Sequence, residues 1–483
     1  MSEFNGRIAD LAGALIALST CLAPDAFAQS VSTNSSIANE VKKEAFKDKQ
    51  EEHKPADPDT GKSTLSDETL NLLPNPYSSK GIKFSASYIG DVLGNVTGVR
   101  RGAVYNGRLN VAVDLDMDKL AKLSGLTFHA NVFQIHGKGL SRDYIGNLAT
   151  VSSIEALATT RLYEAWFEQQ LGGEAVTLRF GQLAADTEFI TTKYADTFIN
   201  GTYGWPVITG TDLPSGGPSP PLAAVGARLK GVLNQNVTVL AATFNGDPAG
   251  PGPDDPQSRN RYGLNFRTQD GLLALGEIQY AYGQSKDTKA LPGTIKLGGW
   301  YHSGRFDDLH YAANGYSLAS PLATTPRQLQ TDYGVYAVAE QRVLVLPGHH
   351  EGKRGLAAFV RAAYSQPDRN LVTWYIDGGL SVLGPFSARP DDKLGFGFAI
   401  AKISGSAKAL DQDYVAAGDP LRIPRSKETI LTVGYLAQIR QGWTVQPNIQ
   451  YVMRPGGGYT FEAGQPRLSK NALVLAVRSV TKF

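Results

Sequence analysis

The sequence predicts an all-β chain closed into a transmembrane antiparallel β-barrel of sixteen strands with inward-folded loops. Three observations lead there: an export-type N-terminus, repeated segments of about ten residues with period-two alternation, and connections that alternate between short and long. The N-terminus carries the apolar run Leu11 to Leu18 and then Ala26-Phe27-Ala28, a small-x-small pattern that fits cleavage before Gln29. Residues 1–28 are therefore expected to be a signal peptide. Cys21, the single cysteine, falls inside it, so the mature chain is expected to have no disulfide, thiolate metal site or cysteine nucleophile. Residues 29–77 are polar, with a charged run from Glu40 to Lys54, and read as an N-terminal extension.

From residue 78 to 483 the texture is strand and turn. In Arg108 to Asp116, Leu109, Val111, Val113 and Leu115 share one face, while Arg108, Asn110, Asp114 and Asp116 share the other. Leu178 and Phe180 flank Arg179 in the same way, and Val445, Ile449 and Tyr451 oppose Gln446, Asn448 and Gln450. One face suits lipid and the other water. No stretch reaches the 18 or so consecutive apolar residues of a helical span, whereas alternating barrel strands escape that test. Arg259 to Gln269 is among the segments expected to form strands, together with Gly81–Asp91, Leu272–Tyr282 and Gly355–Ser365. Gly172-Gly173 and Asn234-Gln235-Asn236 read as tight turns. The connections Asp186 to Pro221 and Arg305 to Gln330 read as long loops. Within the first of these, Phe189, Tyr194, Phe198, Tyr203 and Trp205 argue for a loop packed on something, which in a barrel is the lumen.

The 47 basic and 45 acidic residues leave a formal charge of +2 and no footprint for nucleic acid. Catalysis, cofactors and metals are not expected. Glu164 and Glu168, four apart on a strand, stand about 13 Å from one another, beyond the roughly 5 to 9.5 Å of a glycosidase pair. Their shared face with Trp166 reads instead as a polar channel wall, where carboxylates accept sugar hydroxyls and an aromatic ring covers a sugar's apolar face; structural ion pairing is the alternative. Asp114, Asp116 and Asp118 open like a calcium loop, but Lys119 occupies the position that needs glycine. His349-His350-Glu351 after Pro347-Gly348 reads as an exposed turn, and Asp254-Asp255 as a solvated loop. Arg108 and Arg179 are expected to point inward and, beside carboxylates, to form a hydrogen-bonding ring for hydroxylated solutes. Arg100 and Arg101, just before a strand, fit either that ring or contacts that brace a loop or meet lipopolysaccharide. No phosphate loop, nucleotide fingerprint or serine-hydrolase elbow occurs.

The chain ends on the alternating strand Leu473 to Phe483, whose terminal aromatic resembles the signal read by the outer-membrane barrel assembly machinery. Beyond that, GVRRGAVYNG (98–107), DLDMDKL (114–120), RLYEAWFEQQL (161–171), RFGQLAADTEF (179–189), FINGTYGWP (198–206), PLAAVGARL (221–229), FNGDP (244–248) and QPNIQYVMRPGG (446–457) occur in order. In these stretches the chain resembles the carbohydrate-selective porins of the OprB family. Pro220 replaces the aromatic that often precedes PLAA, and Ala476-Val477 replaces a glycine of the last strand, departures that bear on substrate preference. The resemblance implies a 16-stranded outer-membrane barrel whose inward loops narrow a passive channel for small neutral sugars such as glucose, possible assembly into a homo-oligomer, and contact with lipid and lipopolysaccharide. The alternatives are an exported carbohydrate-binding or hydrolytic β protein, or a porin for other small polar solutes.

Overall fold

A computed structural model of the chain describes residues 69–172, 175–284, 290–346, 354–462 and 465–483. The signal peptide, Cys21, residues 29–68 of the extension, Gly173 and the His349-His350-Glu351 turn lie outside the described residues.

Alternating sequence becomes a wall because successive side chains of a strand point to opposite faces. The strands in chain order are β1 (Ile82–Asn95), β2 (Gly102–Asp116), β3 (Leu126–Gly137), β4 (Thr159–Leu171), β5 (Val176–Leu183), β6 (Ala224–Val232), β7 (Val237–Asn245), β8 (Leu272–Tyr282) and β9 (Gly293–Ala312). They continue with β10 (Pro326–Val345), β11 (Gly355–Ser365), β12 (Val372–Leu383), β13 (Lys393–Ile403), β14 (Lys427–Arg440), β15 (Trp443–Met453), the short hairpin β16 (Tyr459–Glu462) and β17 (Gln465–Leu468), and β18 (Ala472–Lys482). Sixteen of them, β1 to β15 and β18, close into one barrel in which every neighbour is antiparallel and, apart from the intervening hairpin and the closing pair β1–β18, next in sequence. The count agrees with the sequence expectation.

The barrel closes between its first and last strands. Asp91 faces Arg478 in the β1–β18 register, and both are buried, with Arg478 Nε and Nη2 each 2.8 Å from a carboxylate oxygen of Asp91. The Phe483 amide donates to the Ala86 carbonyl at 2.9 Å.

Polarity is inverted relative to a water-soluble protein. Leu297, Val335, Ile449 and Val477 are roughly half exposed on the outside, whereas Asp91, Arg361, Asp377 and Gln450 are fully buried within. A continuous apolar exterior over a polar interior is stable only with hydrocarbon outside. No helix among the described residues is long and apolar enough to cross a membrane.

Two sequence expectations about strands are corrected. Arg259 to Gln269 is not a strand; its backbone is committed to a bulge in β4. There the register skips between Asn131 and Val132, so Tyr163 is inserted, and the Tyr262 carbonyl accepts from the Leu162 amide at 3.0 Å. The Gly263 carbonyl accepts from Gln182 Nε2 at 3.1 Å. Gly263 has φ of +68°, and a Cβ there would lie 1.8 Å from the Leu162 carbonyl oxygen. The substitution G263A should therefore break this contact, and heat-modifiable migration on gels should show a lower unfolding temperature than wild type. The second correction concerns Arg305 to Gln330: β9 and β10 run on through half of it, pairing Arg305 with Gln330 and Asp307 with Gln328.

The long loop between β5 and β6 does enter the barrel. Its five aromatics are all buried, and its polar backbone is satisfied by the inner faces of distant strands, as a buried loop requires. The Ile190 amide donates to Glu277 at 2.8 Å, and Glu340 receives the Thr192 hydroxyl and the Lys193 amide. Asp196 pairs with Lys393, and Asn200 Nδ2 donates to Gln450 at 2.9 Å. A second loop, between β3 and β4, folds in beside it: Glu428 accepts from the Leu148 and Ala149 amides, both at 2.8 Å, and the Ser153 amide donates to the Ile199 carbonyl.

Candidate functional site: a polar belt along the lumen wall

The anchors of the two inward loops run from β8 round to β18 and β1, while the ends of the longer loop are tied to β4 and β6. Along β2 to β6 the wall carries its own row of side chains, set by register. Asp114 faces His129, His129 faces Trp166, Glu168 faces Arg179, and Arg179 faces Arg228.

The contacts follow that order. His129 Nδ1 lies 2.7 Å from Asp114 Oδ1, and the His129 ring stacks on Trp166 with centroids 4.9 Å apart. The Arg179 guanidinium lies 3.8 Å from the Trp166 ring centroid, close enough for a cation–π contact. Arg179 Nε donates to Glu168 Oε2 at 3.0 Å, and Arg228 Nη2 donates to the same oxygen at 2.6 Å. Arg228 also grips Glu188 of the inward loop through Nε at 2.5 Å and Nη2 at 2.7 Å.

Two arginines directly opposite across a ladder would repel one another. Glu168 and Glu188 offset this by sitting between them. Burial works against the Glu188 carboxylate, yet Arg179 and Arg228 hold it below its ordinary range. The belt is therefore a nearly neutral strip of fixed donors and acceptors beside an aromatic face.

The remaining sequence candidates are placed as follows. Arg108 is buried on β2, its guanidinium 4.5 Å from the Phe133 ring centroid. Glu164 is buried and accepts from the Ala184 amide at 2.9 Å, which ties the start of the inward loop to β4. Asp116 caps the short helix Met117–Ala121 by accepting from the amides of Asp118 and Lys119. Arg100 and Arg101 are exposed in the β1–β2 loop, where Arg100 Nη1 donates to the Asp143 carbonyl at 3.0 Å. Thus Asp114, Trp166, Glu168 and Arg179 come together, Glu164 lies within electrostatic reach of His129 and Arg179, and Arg108, Asp116 and the Arg100–Arg101 pair stand apart from them.

Three members of the belt were missed by sequence reasoning: His129, Glu188 and Arg228. Two of them carried a signal, since Glu188 lies in RFGQLAADTEF and Arg228 in PLAAVGARL. No group of three or more metal-ligating side chains occurs among the described residues.

Comparison with known proteins agrees with this architecture. Porin B of Pseudomonas aeruginosa is 24% identical over 438 residues, covering 84% of this chain and 88% of that protein. The high-pH structure of Pseudomonas putida OprB superposes with a TM-score of 0.73 at 23% identity, over 84% of this chain and 95% of that one; at this identity it supports the barrel fold. The model of the carbohydrate-selective porin, OprB family, matches residues 100–483. On that match, and with an apolar exterior around a polar lumen, this chain belongs to the OprB family of carbohydrate-selective porins of the bacterial outer membrane.

Proposed function

We propose that the barrel passes small neutral sugars, monosaccharides such as glucose, by passive diffusion into the periplasm. The observation that carries this reading is the belt itself. Its cations and carboxylates are matched, so neither sign of ion is strongly favoured, while Arg179, Arg228 and Glu168 offer donors and acceptors within one patch, held in place by the Trp166 ring between His129 and Arg179. A hydroxylated solute can exchange water for these groups and then leave, as conduction requires. In proteoliposome swelling, glucose should enter measurably faster than into protein-free vesicles, without any energy source. Equal rates in the two preparations would defeat the proposal.

The same reading assigns residues 1–28 to a cleaved signal, 29–77 to a polar N-terminal extension and 78–483 to the barrel, with outward contacts to lipid and lipopolysaccharide and room for homo-oligomers. Phe483, at the closing seam, is proposed to be the assembly signal. Deleting it should lower the amount of folded barrel recovered from outer membranes severalfold, scored by heat-modifiable migration. Undiminished recovery would remove that role.

A further inference from the structure

Toward the long-loop end, above the belt, lies a cavity of about 520 Å³, a size within the range of small-molecule sites. Its wall comes from the two inward loops and the loop after β7, and Arg108 reaches it from β2. None of the belt residues lines it.

Hydroxyls dominate the lining. Thr187 is buried, and its Oγ1 has no hydrogen-bond partner; Thr150 and Thr211 are half-buried on the same cavity. A buried polar atom without a partner is costly unless something else satisfies it. Trp205 also lines the cavity, fixed in place by its Nε1 donating to the Gly216 carbonyl at 2.9 Å. Carboxylates outnumber cations here: Glu155, Asp186 and Asp255 lie on the lining against Arg108. Threonine hydroxyls both donate and accept, an indole covers an apolar sugar face, and surplus negative charge disfavours anions.

We infer that this vestibule is a second, outer docking site for neutral sugars, distinct from the belt, which loads solute into the lumen and turns away sugar acids. The inference rests on the sugar-channel reading and adds a location and a charge preference to it. Each threonine lost to valine removes a hydroxyl at nearly constant shape. A neutral hydrogen bond contributes about 1 kcal/mol, so two lost together correspond to roughly a thirtyfold weaker affinity.

The test is a tryptophan-fluorescence titration of the folded full chain with glucose and, separately, with gluconate. Wild type should give a saturable response to glucose and at most a weak one to gluconate. W205F should remove the Trp205 component of the glucose response, leaving only what Trp166 reports from the belt, and the double substitution T150V/T211V should raise the half-saturating glucose concentration of the Trp205 component about thirtyfold, with T187V moving it in the same direction. T150V/T211V and T187V keep the test valid if W205F misfolds. A glucose response that is absent, unchanged by all three variants, or matched by gluconate would overturn the outer site. Saturable, Trp205-dependent binding in a protein that gives no liposome flux would uphold the site and defeat the transport reading instead.

Discussion

Replacing Arg361 with alanine is expected to unseat the inward loop and raise single-channel conductance severalfold. Arg361 on β11 and Asp377 on β12 are both fully buried, with Nε 3.0 Å and Nη2 2.5 Å from the carboxylate. The same guanidinium donates to three loop carbonyls: Ile190 at 2.9 Å, Thr202 at 2.8 Å and Gly204 at 3.1 Å. One charged group thus ties two barrel strands to both limbs of the loop. Truncating it strands the Asp377 carboxylate, whose Tyr375 hydroxyl partner at 2.7 Å cannot neutralise it, and orphans three carbonyls. Breaking such a buried pair costs about 3–5 kcal/mol. The strand ladders do not depend on this residue, so the loss should fall on the loop rather than on the barrel. In planar bilayers R361A should show larger and noisier openings and weaker discrimination between glucose and bulkier sugars. R361K keeps the charge but not the planar fork that serves carboxylate and carbonyls together, and it should lie between the two. Conductance identical to wild type in R361A would mean that the loop is held by its other anchors and that Arg361 is not its keystone.

The difference between what the sequence disclosed and what it hid follows from the length scale of each interaction. Facing is local: Arg108, Asp114 and Arg179 alternate with apolar neighbours because lipid and lumen lie on opposite sides of one strand. Beyond the lipid that contrast fades. Arg305 and Asp307 put charge on the face where β9 earlier carries Leu297 and Tyr301, so no lipid-facing row announces a strand there, yet the ladder of β9 and β10 continues because backbone pairing needs no particular side chains. Conversely, Leu264 and Phe266 alternate like strand residues, while the adjoining backbone is spent on β4 and Gln182. Partnership across the barrel is not local at all. Arg228 meets Glu188 and Glu168, which lie 40 and 60 residues earlier in the chain, and only strand register and the path of the loop bring them together. The aromatics from Phe189 to Trp205 disclosed that the loop is packed, because exposed loops have no use for five buried rings. The β3–β4 loop gave a weaker signal: Leu140, Val151 and Ile154 are buried there among polar residues without a regular period.

Removing the guanidinium of Arg179 should weaken sugar passage more than removing any other single belt residue. Arg179 covers the Trp166 face at 3.8 Å and donates to Glu168 at 3.0 Å, so it presents a planar donor fixed by the ring beneath it and contributes to the charge balance. With alanine in its place, Glu168 keeps only Arg228 at 2.6 Å, and the exposed wall loses a cation. Hydrogen bonds to charged groups contribute about 1.5–3 kcal/mol, which corresponds to at least a tenfold rise in half-saturating glucose for R179A in saturable liposome flux. Ion selectivity, read as the reversal potential in a salt gradient, should shift toward cations in the same variant. R179K separates the two effects: it restores the charge and hence the reversal potential, but a lysine ammonium cannot stack flat on Trp166 while bonding Glu168, so the sugar defect should persist. Arg108, buried against Phe133 and facing the vestibule, should give a smaller selectivity shift when changed to alanine, because it lies outside the belt's ion pairs. Unchanged glucose flux in both R179A and R108A would show that sugar passes elsewhere in the lumen, and the belt would then be a structural brace between the β2–β6 wall and the inward loop.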